Sequence, residues 1–600
     1  MYSWLRFASV WLLVSSAMSA RAAEYEVHVQ PGVMVAMRDG VKLAADVYRP
    51  ARDGAPVEGK FAVVLYRTPY NKAGLKNAAS YFARHGYVAV AQDVRGRFAS
   101  EGAFYPFVNE GQDGYDSIEW AAAQPWSNGQ VGTAGGSYLA WDQYHAAMYR
   151  PPHLASMYAE VGGANFIDEY GYPGGIPNLG WPLWILNAAI NSQEAAQNGV
   201  ARQALVEVAK NLRAWYALEP QKRGEVFAPF PAYRKVYQDF YDHPQPDSYW
   251  KQRGFYTRGY YREMKDVPTL FVSGWYDYFL EGVLDNFMAL SRAQKTEKRL
   301  AVGPWPHGVG AAECGEASFG PDGASDMLAL AVDWFDHCLK GAKLEKLGEE
   351  KVRIFRMGGG DGARNAAGRI NHGGRWRTAP AWPPPDARPA RYYLGPEGAL
   401  ASQPPSGGKQ SSGFTFDPEN PVPTIGGRYL GCARDQVCSP KTMGCTDSLP
   451  LNRRPDVLSY ETQPLAEALE VTGKVRARLW ISSDAVDTDF TAKLVDVYPE
   501  GFALILTDGQ LRARYRNGRE KPRLMKPGTV YELTIDLGSM SNLFARGHRI
   551  RLDVSSSNYP RGEPNPNTGQ PAGRWTARKK ATNTLYHDPA HASFLELPIR

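Results

Sequence analysis

Apolar and polar positions alternate on both sides of Asp39-Gly40 in "VMVAMRDGVKLAADVYRP". That is the pattern of two strands joined by a tight turn. "FAVVLYRTPY" follows as a short apolar run ending in a proline turn, which suits a buried strand. "AASYFARHG" has helical spacing and a glycine stop. "YVAVAQDVRG" is a second buried strand, "DGYDSIEWAAAQ" an amphipathic helix and "QVGTAGGS" a third short strand. Strands alternating with helices predict a mostly parallel sheet covered on both faces. From about Asn165 to Gly259 the texture changes. Trp, Tyr and Pro are dense, and helical stretches such as "QEAAQNGVARQALVEVAKNLRAWYAL" dominate. "VPTLFVSGWYD" and "RLAVGPWPHG" then restore the strand pattern. "SDMLALAVDWFDHCLKG" is a helix with Ser325 or Asp326 placed to cap it and Gly341 at its end. Beyond about Glu345, short strand-like runs ("PARYYL", "KVRARLWISS", "DFTAKLVDVYP", "YELTIDLG", "HRIRLDVSSS") are separated by Pro, Gly and Asn. The predicted layout is an α/β domain over 24–164 and 260–345, a helical cap over 165–259, and an all-β sandwich or jelly roll over 346–600.

Three features set the context. "MYSWLRFASVWLLVSSAMSARAA" has one early cation, an apolar run too short to span a bilayer as a mature helix, and the small-x-small site Ala20-Arg21-Ala22. It predicts a signal peptide over residues 1–23 and export to a periplasm or the cell exterior, with no membrane attachment after cleavage. Net charge is +6, from 68 basic and 62 acidic side chains, too thinly spread to suggest a nucleic-acid partner. Of five cysteines, Cys432, Cys438 and Cys445 share one loop-like stretch and suit an oxidising compartment. Their spacing matches no zinc pattern. Cys314 and Cys338 are free to bridge or to stay as thiols, and connectivity is not readable from spacing.

The candidate chemistry centres on Ser137, in "GTAGGSYLAW", between a strand and a helix. The stretch approaches a nucleophile elbow, G-x-S-x-G, but has Leu139 where the second glycine belongs. A serine hydroxyl is a poor nucleophile at neutral pH without a base and a group to orient that base. In an α/β-hydrolase the order is nucleophile, acid, histidine, and here Asp277 and then His307 each follow an apolar strand directly. Both strand ends belong at one edge of a parallel sheet. His145 lies about two helical turns beyond Ser137 and faces away from it.

"RTPYNK", "QDVRGRFASEG", "GGSYLAW", "GWYDYF" and "GPWPHG", in that order, resemble the CocE/NonD hydrolases, a family that includes cocaine esterase, α-amino acid ester hydrolases and X-Pro dipeptidyl-peptidases. "DTDFTAKLVDVYPEG" and "SSSNYPRGEPNPNTG" are similar to that family's C-terminal jelly roll. The resemblance implies an α/β-hydrolase domain with a cap. It implies Ser137 as nucleophile, His307 as base and Asp277 as orienting acid. The hydroxyl of Tyr70 and the backbone N–H of Tyr138 are the implied oxyanion donors, and Tyr170, Trp181 and Phe279 the implied acyl pocket. Asp168 and Glu169 are the only candidates for gripping a substrate ammonium. Asn71 and Lys72 stand after Tyr70, where the amino acid ester hydrolases carry a carboxylate. Arg95 and Arg97 are expected to hold their loop through ion pairs with carboxylates such as Glu101, and the "DTDF" aspartates to fix a loop. The resulting expectation is an exported serine hydrolase acting on a small ester, amide or short peptide, with no metal or organic cofactor. An X-Pro exopeptidase would share the same catalytic set. A secreted glycan-binding protein with an inert hydrolase domain is the rival of another class.

Overall fold

The computed structural model describes residues 24–428 and 451–600. The predicted signal peptide and Cys432, Cys438 and Cys445 lie outside the described residues. The sheet of the N-terminal unit is built from Glu26–Ala36 (β1), Lys42–Arg52 (β2), Phe61–Thr68 (β3), Val88–Asp93 (β4), Ser127–Gly136 (β5), Leu154–Glu160 (β6), Thr269–Gly274 (β7) and Lys298–Gly303 (β8). The hairpin predicted around Asp39-Gly40 is β1–β2, and Gly40 takes φ 86° in its turn. The strand order is β1-β2-β4-β3-β5-β6-β7-β8; β2 pairs antiparallel with its neighbours, and every pair from β4 to β8 is parallel. The central strands are buried on both faces, which is why they read as continuous apolar runs rather than alternating ones.

Lys76–Arg84 (α1), Glu110–Ala122 (α2) and Tyr138–Met148 (α3) cover the first half of the sheet. The cap follows β6, with Gly180–Ile190 (α4), Gly199–Lys210 (α5) and Pro231–Asp242 (α6) as its main helices. Leu280–Ala293 (α7) and Met327–Lys340 (α8) complete the N-terminal unit. Asp326 caps α8 by accepting the Ala329 N–H at 3.0 Å, and Gly341 closes it at φ 71°. The helical stretch from Gln193 to Leu218 is interrupted at Asn198 and Asn211. Each asparagine leaves helical geometry and accepts an N–H of the next helix, from Ala201 at 3.0 Å and Ala214 at 3.3 Å. Asparagine is a weak interior residue and a strong N-cap, so periodicity alone misses both breaks. Among the described residues no helix is long and apolar enough to cross a membrane.

The C-terminal unit is a β domain, with no α-helix beyond Lys340 among the described residues. Its long strands Leu469–Ser483 and Tyr531–Phe544 pair antiparallel, and a separate four-stranded sheet contains Asp489–Val497 and Ala503–Arg512. Val352–Gly358, which the sequence pattern places with the β domain, adds in parallel to β8 and also meets Tyr531–Phe544. The two units therefore share a continuous sheet edge. The "DTDF" aspartates do hold a loop: Asp487 pairs with Arg514 at 2.7 Å and Asp489 with Arg512 at 2.8 Å. Cys314 is disulfide-bonded and Cys338 is a free thiol, so these two do not bridge each other.

The β domain also braces the cap. Arg223, fully buried just before α6, pairs with Glu563 at 2.8 Å and donates to the carbonyls of Tyr216 and Leu218 and to the Tyr241 hydroxyl. Removing one partner of such a pair strands a buried charge. Glu563→Ala is expected to lower unfolding free energy by about 3–5 kcal/mol, read from chemical denaturation. A change below about 1 kcal/mol would mean the pair does not brace the cap.

Candidate active site

Ser137 sits on the turn between β5 and α3 at φ 59° and ψ −122°, a backbone conformation that a non-glycine residue adopts only when its surroundings enforce it. Its N–H donates to the Glu160 carbonyl at 2.9 Å, and the preceding Gly135 takes φ 133°. A Cβ on Gly135 would lie 2.7 Å from that of Leu139. The alanine at position 140 is accommodated from the other side, because Gly162 faces it and a Cβ there would lie 2.6 Å from that of Ala140. The close approach of α3 is kept by glycine at 162 opposite alanine at 140.

Asp277 and His307 follow β7 and β8, and the turns bring them together. Asp277 is fully buried. One of its oxygens meets His307 Nδ1 at 2.8 Å, and the other accepts the Ser273 hydroxyl at 3.0 Å. A carboxylate at Nδ1 fixes the tautomer with Nε2 as acceptor. Nε2 receives the Tyr278 hydroxyl at 3.2 Å, and the Tyr278 ring stacks on the imidazole at 4.5 Å. Tyr278, Tyr70 and Ser137 line the same cavity. Tyr278 is a contact that sequence reasoning missed. Its one signal is its place directly after Asp277.

Tyr70 lies across the cleft. Its ring is half exposed, and its hydroxyl accepts the Trp184 indole N–H at 3.0 Å. Desolvation of the hydroxyl raises the phenol to about 12, so it is a neutral donor at physiological pH. Tyr138 opens α3, so its N–H is one of the first-turn donors with no acceptor inside the helix. The Tyr138 side chain points away from solvent, donates to Glu110 at 2.9 Å and accepts the Phe107 N–H at 2.9 Å. Glu110 in turn pairs with buried Arg67 at 2.9 Å. This chain pins the start of α3 and with it the direction of the N–H. His145, buried further along α3, has its pKa pushed down to about 3 by desolvation and by Arg67. It is a neutral packing histidine.

Ser137, His307 and Tyr70 open into one cavity of about 260 Å³. Ten of its twelve lining residues are Phe, Tyr or Trp, and the other two are Ser137 and His307. Tyr170, Trp181 and Phe279 line it. Phe107, Trp141, Phe166 and Trp184 join them without having been foreseen, since they converge from loops and helices distant in the chain. Trp181 and Trp184 stack at 4.7 Å on α4. No carboxylate lines the cavity. Glu169 is buried and accepts the N–H groups of Ala164 and Asn165 at 3.1 and 2.9 Å; desolvation holds its carboxyl well above the ordinary range. Asp168 accepts from Asn165 Nδ2 at 2.7 Å and faces Arg519 at 3.5 Å. Lys72 pairs with Asp46 at 2.9 Å. Among the described residues, no group of three or more His, Cys, Asp or Glu is arranged to hold a metal ion.

The parallel strand order, with Ser137, Asp277 and His307 on turns at one sheet edge, fits a hydrolase of the α/β type. Comparison with known proteins agrees and goes further. Residues 39–309 match the model of the X-Pro dipeptidyl-peptidase (S15 family), and residues 347–596 match that of the X-Pro dipeptidyl-peptidase C-terminal non-catalytic domain. The chain is 35% identical over 597 residues to the cocaine esterase of Rhodococcus sp. (strain MB1 Bresler), covering 95% of this chain and 98% of that one. The chain belongs to the CocE/NonD family of hydrolases. Among solved structures, an α-amino acid ester hydrolase superposes with a TM-score of 0.77 at 23% identity, covering 98% of this chain and 99% of that one. An aminopeptidase from a marine sediment archaeon, Thaumarchaeota archaeon, does so with a TM-score of 0.77 at 23% identity, covering 96% and 97%. These two likenesses speak to the fold.

Proposed function

We propose that the protein is an exported esterase that cleaves esters of apolar, uncharged acyl groups through a Ser137–His307–Asp277 acyl-enzyme cycle. Ser137 attacks the carbonyl carbon. His307 Nε2 takes the serine proton, directly or through the Tyr278 hydroxyl beside it, and returns it to the leaving alkoxide. Asp277 holds the tautomer and stabilises the imidazolium. The Tyr70 hydroxyl and the Tyr138 N–H receive the oxyanion, both as neutral donors in an aromatic, low-dielectric site where such donors act strongly. Water activated by His307 then releases the acid. We read the C-terminal β domain as a jelly roll that braces the cap. The leader at residues 1–23 supports export.

The aromatic cavity without a carboxylate carries the choice of substrate. An X-Pro exopeptidase or an amino acid ester hydrolase must hold a substrate ammonium, and an unpaired cation in this cavity would be costly. Glu169 and Asp168 are engaged with the backbone, Asn165 and Arg519 instead. On the mature protein, kcat/KM for p-nitrophenyl benzoate is expected to exceed that for Gly-Pro-p-nitroanilide by at least on the order of 10²-fold. The reverse ranking would make the protein an exopeptidase.

A further inference from the structure

Arg97 lies in the turn after β4, is 2% exposed, and has no part in the chemistry just described. The ion pairs expected of the "DVRGRF" arginines are made by Arg95, which binds Asp113 at 2.6 Å and Asp39 at 2.7 Å. Arg97 departs from that expectation. Its Nε donates to the Pro69 carbonyl at 3.0 Å, and one terminal nitrogen donates to the Ala188 carbonyl at 2.8 Å and to the Tyr233 hydroxyl at 2.6 Å. Phe98 and Phe104 present ring faces to it at 5.0 and 5.1 Å. These partners are all neutral. The turn is shaped for this approach: Gly96 is at φ 68°, and a Cβ there would lie 2.3 Å from the Phe104 nitrogen.

The two carbonyls identify what Arg97 joins. Pro69 is the residue before Tyr70. Ala188 is on α4, the helix that carries Trp184. Tyr70 and Trp184 hydrogen-bond to each other at 3.0 Å. One rigid guanidinium fork therefore ties together the two backbones whose side chains meet at the oxyanion site. A buried guanidinium among neutral partners is costly, and packing alone does not require a charge here.

We propose that Arg97 is a positioning residue for the oxyanion site: it locks the Tyr70 loop to cap helix α4. The inference rests on the reading of Tyr70 as an oxyanion donor. The test is a double-mutant cycle on p-nitrophenyl acetate, with rates normalised to active sites titrated by a fluorophosphonate. Tyr70→Phe is expected to lower kcat on the order of 10²–10³-fold. Arg97→Met is expected to lower kcat about 10–10²-fold with KM within about twofold, and Arg97→Lys to recover part of that loss. In the Tyr70→Phe background, Arg97→Met should cost no more than about threefold further, because its target is gone. If Arg97→Met does not fold, Arg97→Lys carries the same cycle. A Tyr70→Phe variant with unchanged kcat would remove the Tyr70 reading itself. A large Tyr70→Phe effect with no loss in the Arg97 variants, or with fully additive losses, would overturn the Arg97 inference and leave Tyr70 in place.

Discussion

Ser137→Ala is expected to abolish turnover of p-nitrophenyl acetate, with a loss on the order of 10⁴–10⁶ in kcat and the fold retained. The expectation of an intact fold is structural. The Ser137 side chain makes no capping hydrogen bond to α3, so alanine removes the hydroxyl without removing a helix cap. The left-handed backbone is already occupied by a residue with a Cβ, so no new strain enters. What remains after substitution is the oxyanion site and the aromatic cavity, which retain a small part of the catalysis. Steady-state hydrolysis alongside a thermal melt checks both halves. Wild-type turnover in a folded Ser137→Ala protein would rule out the acyl-enzyme route.

Asp277→Asn is expected to cost on the order of 10⁴ in kcat near neutral pH. Asparagine is nearly isosteric and keeps a partner for the Ser273 hydroxyl, so geometry is preserved. An amide N–H directed at Nδ1, however, selects the tautomer with the proton on Nε2. That nitrogen then cannot accept from Ser137, and the imidazolium loses its buried counter-charge. The pair is 2.8 Å apart with Asp277 fully buried, so solvent cannot substitute for the carboxylate. A loss of less than about tenfold in steady-state kcat would show that Asp277 is not the orienting acid.

Much of this site is legible in the chain, but unevenly. Asp277 and His307 are found by a positional rule, each directly after a buried strand and in hydrolase order, because strand ends in a parallel sheet share one edge. Tyr70 has no such rule. Taken alone, a tyrosine in a proline turn reads as packing, and only its resemblance to the family's T-P-Y segment singles it out. Gly162, which faces Ala140 from a different strand end and allows the close approach of α3, has no local signature. Tyr278, Trp184 and Phe107 escape for the same reason: the cavity wall is assembled from segments whose proximity is set by tertiary packing. Arg97 shows the limit of charge-based reading. An arginine two residues from another in a loop looks like an ion-pairing residue, whereas its fork closes on carbonyls of Pro69 and Ala188 and on the Tyr233 hydroxyl.

Covalent labelling tests the central claim most directly. The mature protein is treated with a fluorophosphonate, digested, and its peptides read by mass spectrometry. The account predicts one adduct per chain, on Ser137, absent in Ser137→Ala and slowed by at least on the order of 10²-fold in Asp277→Asn. An unlabelled wild-type protein, or an adduct on another residue that persists in Ser137→Ala, would contradict it.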